Sequence, residues 1–434
     1  MILYAGTVYD SSEQNRLLDE LKTRIPQTLA REPLDPECVI NAIDRLRQDT
    51  LAGKFDELLV NLPKDTVAAY KAQAAVLLSK DMLHLKLKTE LGNTAEYETE
   101  GAEGFSRIRV RTMPLGVILH IAAGNMDFLP AYSLAEGLLT GNINILKLPS
   151  ADDGLSLKLI MQLIAYEPKL KDYIYVFDTP STDIYGMQKM AALSNGISVW
   201  GSDVAIDAVR KMAPTGVKLI EWGQKLGFCY VSHLTENAEA EEELRALATH
   251  IADTKQLLCS SCQVIYLNSD SDEEQAAFAR RFAPLLEEAV GKNKSDEIGV
   301  RARDTLVSYT ARLKDILGEE EVADNVIRMR GCSVLISDNS RLELSPMMCN
   351  VLVKNLPEER LTQVLTESKN YLQTAGLICP ADERGHLTDT LLKSGLIRVT
   401  RAGNMSAYFP GESHDGDYAL MRYVRHVNVE LLLP

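Results

Sequence analysis

With 434 residues, 46% of them apolar and 25% charged, the chain has the composition of a globular protein of two or three domains, which excludes disordered and fibrous classes. A formal charge of -15 repels phosphate backbones and anionic lipid surfaces on average, so nucleic acid is not an expected partner. No run approaches the roughly 18 apolar residues of a membrane span, the opening MILYAGTVYDSSEQ lacks the basic and apolar regions of a secretory leader, and seven cysteines are no disulfide framework. The sequence therefore predicts a cytoplasmic protein with reduced thiols.

In chain order, apolar residues recur at helical spacing in Asn15–Ile25, Val39–Leu51 and Val67–Leu87, which predicts that residues 1–100 are helical. FSRIRVR (Phe105–Arg111) alternates Ile108 and Val110 with Arg107, Arg109 and Arg111, the period of a half-exposed strand. Residues 101–113 thus offer an edge to another element or another subunit. From Pro114, apolar runs alternate with helical stretches. VILHI (Val117–Ile121) is followed by a Gly124-Asn125 turn, a helix over Leu129–Leu139 closed by Gly141, INILKL (Ile143–Leu148) and a helix after Asp152. YIYVF (Tyr173–Phe177), a helix near Gly186–Leu193, ISVW (Ile197–Trp200), a helix after Asp203 and a short run at Val217–Ile220 continue the series. Unbroken apolar strands separated by helices predict an α/β fold, with a doubly wound parallel sheet over residues 114–228. Ligands of such sheets bind at the carboxyl ends of the strands, which points to the turns at Gly124, Lys147 and Gly201.

A second α/β domain is predicted over residues 229–405. Its elements are a long helix over Ala238–Leu257, the run QVIYL (Gln263–Leu267), helices over Glu273–Val290 and Arg303–Leu317, short strands at Val334–Ile336 and Val351–Val353, and a helix from Glu358 to Leu372. Residues 406–434 end in a second alternating stretch, suited to an edge strand. Two such edges predict a homodimer or homotetramer.

The chemistry concentrates in Gln256-Leu257-Leu258-Cys259-Ser260-Ser261-Cys262-Gln263, at the junction of a helix and an apolar strand. A cysteine held there can present its sulfur to a cleft as a nucleophile, or serve as a small buried apolar residue. Cys259 and Cys262 also spell C-x-x-C, but no second pair or spaced histidines follow, so no metal site is expected, and the motif leads into a strand where a redox pair opens a helix. At Gly124-Asn125 the side-chain amide suits an oxyanion, and at Gly201-Ser202 a strand-to-helix turn suits a pyrophosphate. No G-x-G-x-x-G follows the first strand, so any dinucleotide is held differently from a conventional dehydrogenase.

Taken together, these segments resemble the aldehyde dehydrogenase superfamily from roughly Gly101 onward. PLGVILHIAAGNMDFLPAYSLAEGLLTGNINILKLPS (Pro114–Ser150) is similar to the stretch with its first nucleotide-binding strand, WGSDVAIDAVRK (Trp200–Lys211) to its phosphate-binding turn, LIEWGQKLGFCYV (Leu219–Val231) to the segment with its glutamate, and QLLCSSCQVIYL (Gln256–Leu267) to the segment with its catalytic cysteine. The closer resemblance is to the LuxC-type acyl-CoA reductases, carried by LPAYSLAEGLLTGNINILKL (Leu129–Leu148), Cys-Ser-Ser-x-Gln at Cys259–Gln263, YLQTAGL (Tyr371–Leu377) and FPGESHDGDYALMRYVR (Phe409–Arg425). Two residues depart from that branch: Cys262 stands where it often has proline, and Glu221 is present although acyl reduction needs no water-activating base.

The resemblance implies an aldehyde dehydrogenase-like fold. Residues 1–100 and 114–228 would form the cofactor domain, 229–405 the thiol domain, and 101–113 with 406–434 the oligomerisation strands. It implies reduction of an acyl-CoA or other acyl thioester to an aldehyde through a thioester on Cys259, with Asn125 at the oxyanion, and a possible acyl-activating partner enzyme. Gly124, Lys147, Ser150, Gly201 and Ser202 would hold the cofactor. NAD preference in the superfamily is often supported by a carboxylate three residues after the ribose lysine; here that position is Ser150, and Lys147 can pair with a 2′-phosphate, so NADPH is expected over NADH. Glu221 is a relic, a structural carboxylate or a base. In the last case the chain would be a hydrolytic aldehyde dehydrogenase, and a catalytically silent binding or scaffold subunit is the reading from another class. His414 and Asp415 sit in a loop that the resemblance places near the substrate entrance, with no assigned catalytic role.

Overall fold

The computed structural model describes all residues except 60–63, 93–95, 100–105, 124–127, 151–153, 234–237, 293–301, 303–304, 307–308, 311–324 and 432–434. The chain divides into two units, Met1–Gly223 with Phe409–Pro434, and Gln224–Tyr408. The first contains β1 (Ile2–Tyr4), β2 (Thr7–Tyr9), β3 (Tyr97–Glu98), β4 (Ile108–Pro114), β5 (Val117–Ile121), β6 (Ile143–Lys147), β7 (Ile174–Phe177), β8 (Gly196–Trp200) and β9 (Lys218–Trp222). The second contains β10 (Leu226–Val231), β11 (Cys262–Leu267), β12 (Asn325–Met329), β13 (Cys332–Ser337), β14 (Asn350–Asn355), β15 (Leu372–Ile378) and β16 (Arg398–Thr400), and β17 (Val424–Glu430) returns to the first.

The large sheet of unit one runs β2-β1-β7-β6-β5-β8-β9. From β7 to β9 all pairings are parallel. The chain steps outward from β5 through β6 to β7, then returns to the other side of β5 for β8 and β9, so the order reverses between β5 and β8. In a doubly wound sheet that switch point is where a ligand finds a crevice at the strand ends. The helices Leu129–Leu139, Leu155–Tyr166, Gln14–Leu29 and Pro36–Leu51 bury their apolar faces in the same core as β5, β6 and β7. This explains the unbroken apolar runs, since β6 and β7 are buried along their whole length.

The opening residues are not helical as expected. Ile2–Tyr4 and Thr7–Tyr9 form a hairpin whose first strand is buried and adds antiparallel to β7. The turn residues Ala5 and Gly6 have φ of 51° and 79°, the left-handed pair of a tight hairpin. Strands of three residues are too short to show a period. The predicted helix over Val67–Leu87 is two helices, Lys64–Leu77 and Lys80–Leu91, with the Ser79 side chain accepting from the Met82 amide at the start of the second. The two alternating stretches find each other: β17 pairs antiparallel with β4 along its whole length, from Val424 opposite Pro114 to Glu430 opposite Ile108, and β3 covers the other edge of β4.

The sheet of unit two runs β12-β13-β14-β11-β10-β15-β16, parallel except for β12. The helix predicted to reach Leu372 ends at Thr366, and Leu372–Ile378 is instead β15, buried throughout and paired between β10 and β16. A continuous apolar run after a helix does not declare where one ends and the other begins. The helix predicted over Arg303–Leu317 lies mostly outside the described residues.

One buried polar cluster of unit one is closed on itself. On β5, His120 is fully buried between Ser133 and Asn144, with Nδ1 2.8 Å from the Ser133 hydroxyl and Nε2 2.9 Å from the Asn144 carbonyl oxygen. Asn144 Oδ1 only accepts, so Nε2 carries the proton and Nδ1 accepts from Ser133. Burial holds His120 down at about 4, and His250 in unit two likewise. A depressed histidine stabilises the fold above its unfolded value of about 6.5, and that stabilisation is lost as pH falls from there through about 4. His120 alone is worth on the order of 3 kcal/mol across this window. Urea unfolding at pH 7.0 and 4.5 should show this loss, and His120→Gln should reduce the difference between the two pH values.

Candidate active site

The long helix of unit two ends at Thr254, three residues earlier than the pattern suggests, because Lys255 and Gln256 adopt φ of 47° and 61°. This left-handed pair turns the chain into the segment Leu257–Ser261, which carries Cys259 to the amino end of β11. A second left-handed stretch, Met347, Met348 and Cys349 with φ of 61°, 52° and 65°, braces the first: the Met348 amide donates to the Lys255 carbonyl at 2.9 Å. Each non-glycine residue held there costs on the order of 1 kcal/mol, so the surroundings must enforce the shape. The Asn350 amide does so by donating to the Met347 and Met348 carbonyls at 2.8 and 3.0 Å.

Two buried glutamines fix the turn from inside. Gln256 Nε2 donates to the Cys262 carbonyl and to the Ser345 hydroxyl, both at 2.9 Å, and Gln263 Nε2 donates back to the Gln256 carbonyl at 2.9 Å. Within the turn, the Leu258 amide donates to the Ser261 hydroxyl at 3.1 Å. On the neighbouring strand, Gly227 is required: a Cβ there would lie 2.6 Å from the Ser261 carbonyl oxygen and 2.9 Å from that of Ser260.

Cys259 is the one exposed thiol of the seven, none of which is in a disulfide. Its sulfur accepts a hydrogen bond from Gln373 Nε2 at 3.4 Å, and Gln373 is itself buried near the start of β15. An amide N–H aimed at sulfur favours the thiolate. Sequence reasoning missed Gln373: it lies inside YLQTAGL, but nothing in its spacing from Cys259 marks it as a neighbour. Cys262 is turned into the core of unit two, with its thiol pushed up to about 12 by burial. The C-x-x-C is therefore one exposed and one buried thiol. Among the described residues no group of His, Cys, Asp or Glu is placed to hold a metal ion.

In unit one, Gly124 and Asn125 lie outside the described residues. Lys147 ends β6, with a buried side chain whose pKa is lowered by desolvation and which has no ion-pair partner among the described residues. A buried cation of this kind fits an anionic ligand. Ser150 follows three residues on, exposed in a turn. At the switch point, Gly201 and Ser202 connect β8 to the helix Asp203–Met212; the Ser202 side chain does not cap that helix, which fits a phosphate received by the first-turn amides. Glu221 on β9 is held by Arg210, which donates from Nε at 2.6 Å and from a terminal nitrogen at 2.7 Å to its two oxygens. His414 packs 5.1 Å from each of the rings of Trp200 and Trp222, which stack on each other.

The model of the LuxC acyl-CoA reductase family matches residues 33–426. The chain belongs to the LuxC acyl-CoA reductase family. It is 25% identical over 364 residues to the long-chain acyl-protein thioester reductase of Vibrio harveyi and 24% identical to that of Photorhabdus luminescens, with 82% of this chain and 72% of each relative covered. Its fold is that of the aldehyde dehydrogenases. It superposes on a lactaldehyde dehydrogenase with a TM-score of 0.69, over 98% of this chain and 92% of the other. For the NADP-dependent glyceraldehyde-3-phosphate dehydrogenase of Bacillus halodurans, in complex with NADP, the TM-score is 0.70 with the same coverage. Both are 14% identical, so the likeness is one of fold. As a LuxC acyl-CoA reductase the chain is an oxidoreductase that takes an acyl thioester to an aldehyde.

For this LuxC member, the arrangement around Cys259 predicts selective thiol chemistry. Iodoacetamide at pH 8 should alkylate Cys259 in a fast phase that is lost in Cys259→Ala and kept in Cys262→Ala, as read by peptide mass spectrometry. Gln373→Leu should move the pH midpoint of that phase upward, because the thiolate loses its donor.

Proposed function

We propose that the chain reduces a fatty acyl thioester, either acyl-CoA or an acylated partner protein, through an acyl group carried on Cys259, with NADPH preferred to NADH. The observation that carries this reading is the exposed sulfur of Cys259, on a turn fixed by buried amides and facing the Gln373 N–H. The Cys259 thiolate attacks the thioester carbonyl, its S–C bond forms, and the original thiol leaves after taking up a proton. Asn125 and the Cys259 backbone N–H stabilise the oxyanion formed in that step. When bound, NADPH supplies the hydride that the acyl carbon needs to reach the aldehyde level. The S–C bond to Cys259 then breaks, the aldehyde departs, and the sulfur returns to thiolate with Gln373 as donor.

Lys147, Ser150, Gly124, Gly201 and Ser202 are the residues we assign to the cofactor. The buried Lys147 ammonium supports a phosphate partner, and Ser150 presents no carboxylate to repel one on the 2′-oxygen. Lys147→Ala should raise KM for NADPH at least tenfold and that for NADH much less; equal effects on both would remove the 2′-phosphate assignment.

A hydrolytic aldehyde dehydrogenase would need Glu221 as a base for water, yet both of its oxygens accept from Arg210. We read Glu221 as a structural carboxylate. NADPH oxidation with acyl-CoAs should be measurable in the wild type and fall at least a thousandfold in Cys259→Ala. Acid formed from aldehyde and NADP in the absence of CoA would overturn the reductase reading. The relatives' names point to an acylated protein as donor, so a partner that activates fatty acids is the expected source of substrate. Self-association is assigned to the outer edge of β17, which pairs with no other described strand.

A further inference from the structure

Four helices of unit one, Pro36–Leu51, Lys64–Leu77, Leu129–Leu139 and Leu155–Tyr166, contribute the walls of a cavity of about 170 Å³. Leu46, Phe55, Leu77, Phe128, Leu134 and Leu159 are typical of its lining. Three lining residues carry polar groups, and the one charge among them, on Lys71, is ion-paired. The Thr50 hydroxyl donates to the Leu46 carbonyl at 2.8 Å, Lys71 pairs with Asp56 at 2.5 Å, and the Tyr132 ring lies 5.9 Å from the Lys86 ammonium.

A space with no uncommitted charge gives nothing to a phosphate, carboxylate or sugar, and burying such a group there would leave it unsolvated. Saturated hydrocarbon is the ligand it can take without penalty. An apolar cavity of roughly 150 Å³ is known to stay dry and to admit a benzene ring, so this one, in its present shape, holds roughly six to eight carbons. Phe128 on its wall stands three positions after Asn125, the residue assigned above to the oxyanion. Phe128 and Leu129 open the helix that follows β5, on the side of the sheet's carboxyl ends where a doubly wound fold takes its ligand.

We infer that this four-helix cavity is the binding site for the hydrocarbon end of the acyl chain, and that it makes the enzyme selective for medium and long chains. The inference rests on the acyl thioester reading and deepens it: specificity would reside in the unit that holds the cofactor, outside the thiol unit. Each methylene buried should improve kcat/KM about fourfold until the space is filled.

Two measurements test this. A twelve-carbon fatty acid with a diazirine at its methyl end, irradiated with the full-length wild-type protein, should leave adducts on peptides containing residues 43–55, 71–78, 128–135 or 155–163. Adducts confined to other peptides would overturn the site. Filling the cavity with Ala74→Phe or Ala135→Phe should lower kcat/KM for dodecanoyl-CoA at least tenfold and leave butyryl-CoA within twofold; equal effects on both chain lengths would overturn the role in selectivity. Adducts in the cavity without reduction of any acyl-CoA would keep the site and sink the reaction, whereas reduction with adducts only elsewhere would do the reverse.

Discussion

Five left-handed residues that are not glycine hold the reactive end of this molecule in shape. Lys255 and Gln256 on one side, and Met347, Met348 and Cys349 on the other, meet through the hydrogen bond from the Met348 amide to the Lys255 carbonyl. Left to themselves these residues would relax into ordinary conformations, and the helix ahead of Cys259 would continue. Side-chain amides prevent this: Asn350 grips one stretch by its carbonyls, and Gln256 and Gln263 tie the other to β11 and Ser345. The cost is local and the benefit is positional, because an exposed sulfur on a slack loop would have no fixed relation to Gln373.

The two units use opposite ends of their sheets. In unit one the cofactor candidates stand at carboxyl ends of parallel strands, Lys147 as the last residue of β6, and Gly201 and Ser202 after β8. In unit two the thiol stands at an amino end, on the approach to β11, with Gly227 and Gln373 at the corresponding ends of β10 and β15. Parallel strands make both arrangements available, since every connection must cross the sheet and each end gathers loops from several strands. Buried polar residues do different work in the two places. His120, Ser133 and Asn144 satisfy one another inside unit one, while the buried Lys147 has no ion-pair partner among the described residues.

Much of this was legible in the residues. INILKL and YIYVF announced buried parallel strands because no water-facing position interrupts them, and the alternation in FSRIRVR announced a strand with one open face. Cys259 stood out because it follows a helix and precedes such a run. The parts that were hidden share a cause: they depend on contacts between segments far apart in sequence. Gln373 meets Cys259 across the single intervening strand β10, β15 was hidden in the tail of a helical pattern, and the left-handed Met347–Cys349 stretch contains none of the residues that usually advertise that conformation. The opening hairpin was too short to have a rhythm, and a cavity made by four helices has no signature on any one of them.

The pairing of β17 with β4 sets an order of events when the protein is made. Residues 108–114 leave the ribosome roughly 300 residues before 424–430, the strand that completes their sheet. Throughout that interval unit two must be synthesised and begin to fold while β4 keeps one side unmatched, an exposed template for pairing with a neighbouring nascent chain. Arg107, Arg109 and Arg111 along that strand pair with Glu96 and Glu98, which leave the ribosome just ahead of it, so the side that waits is the edge later filled by 424–430.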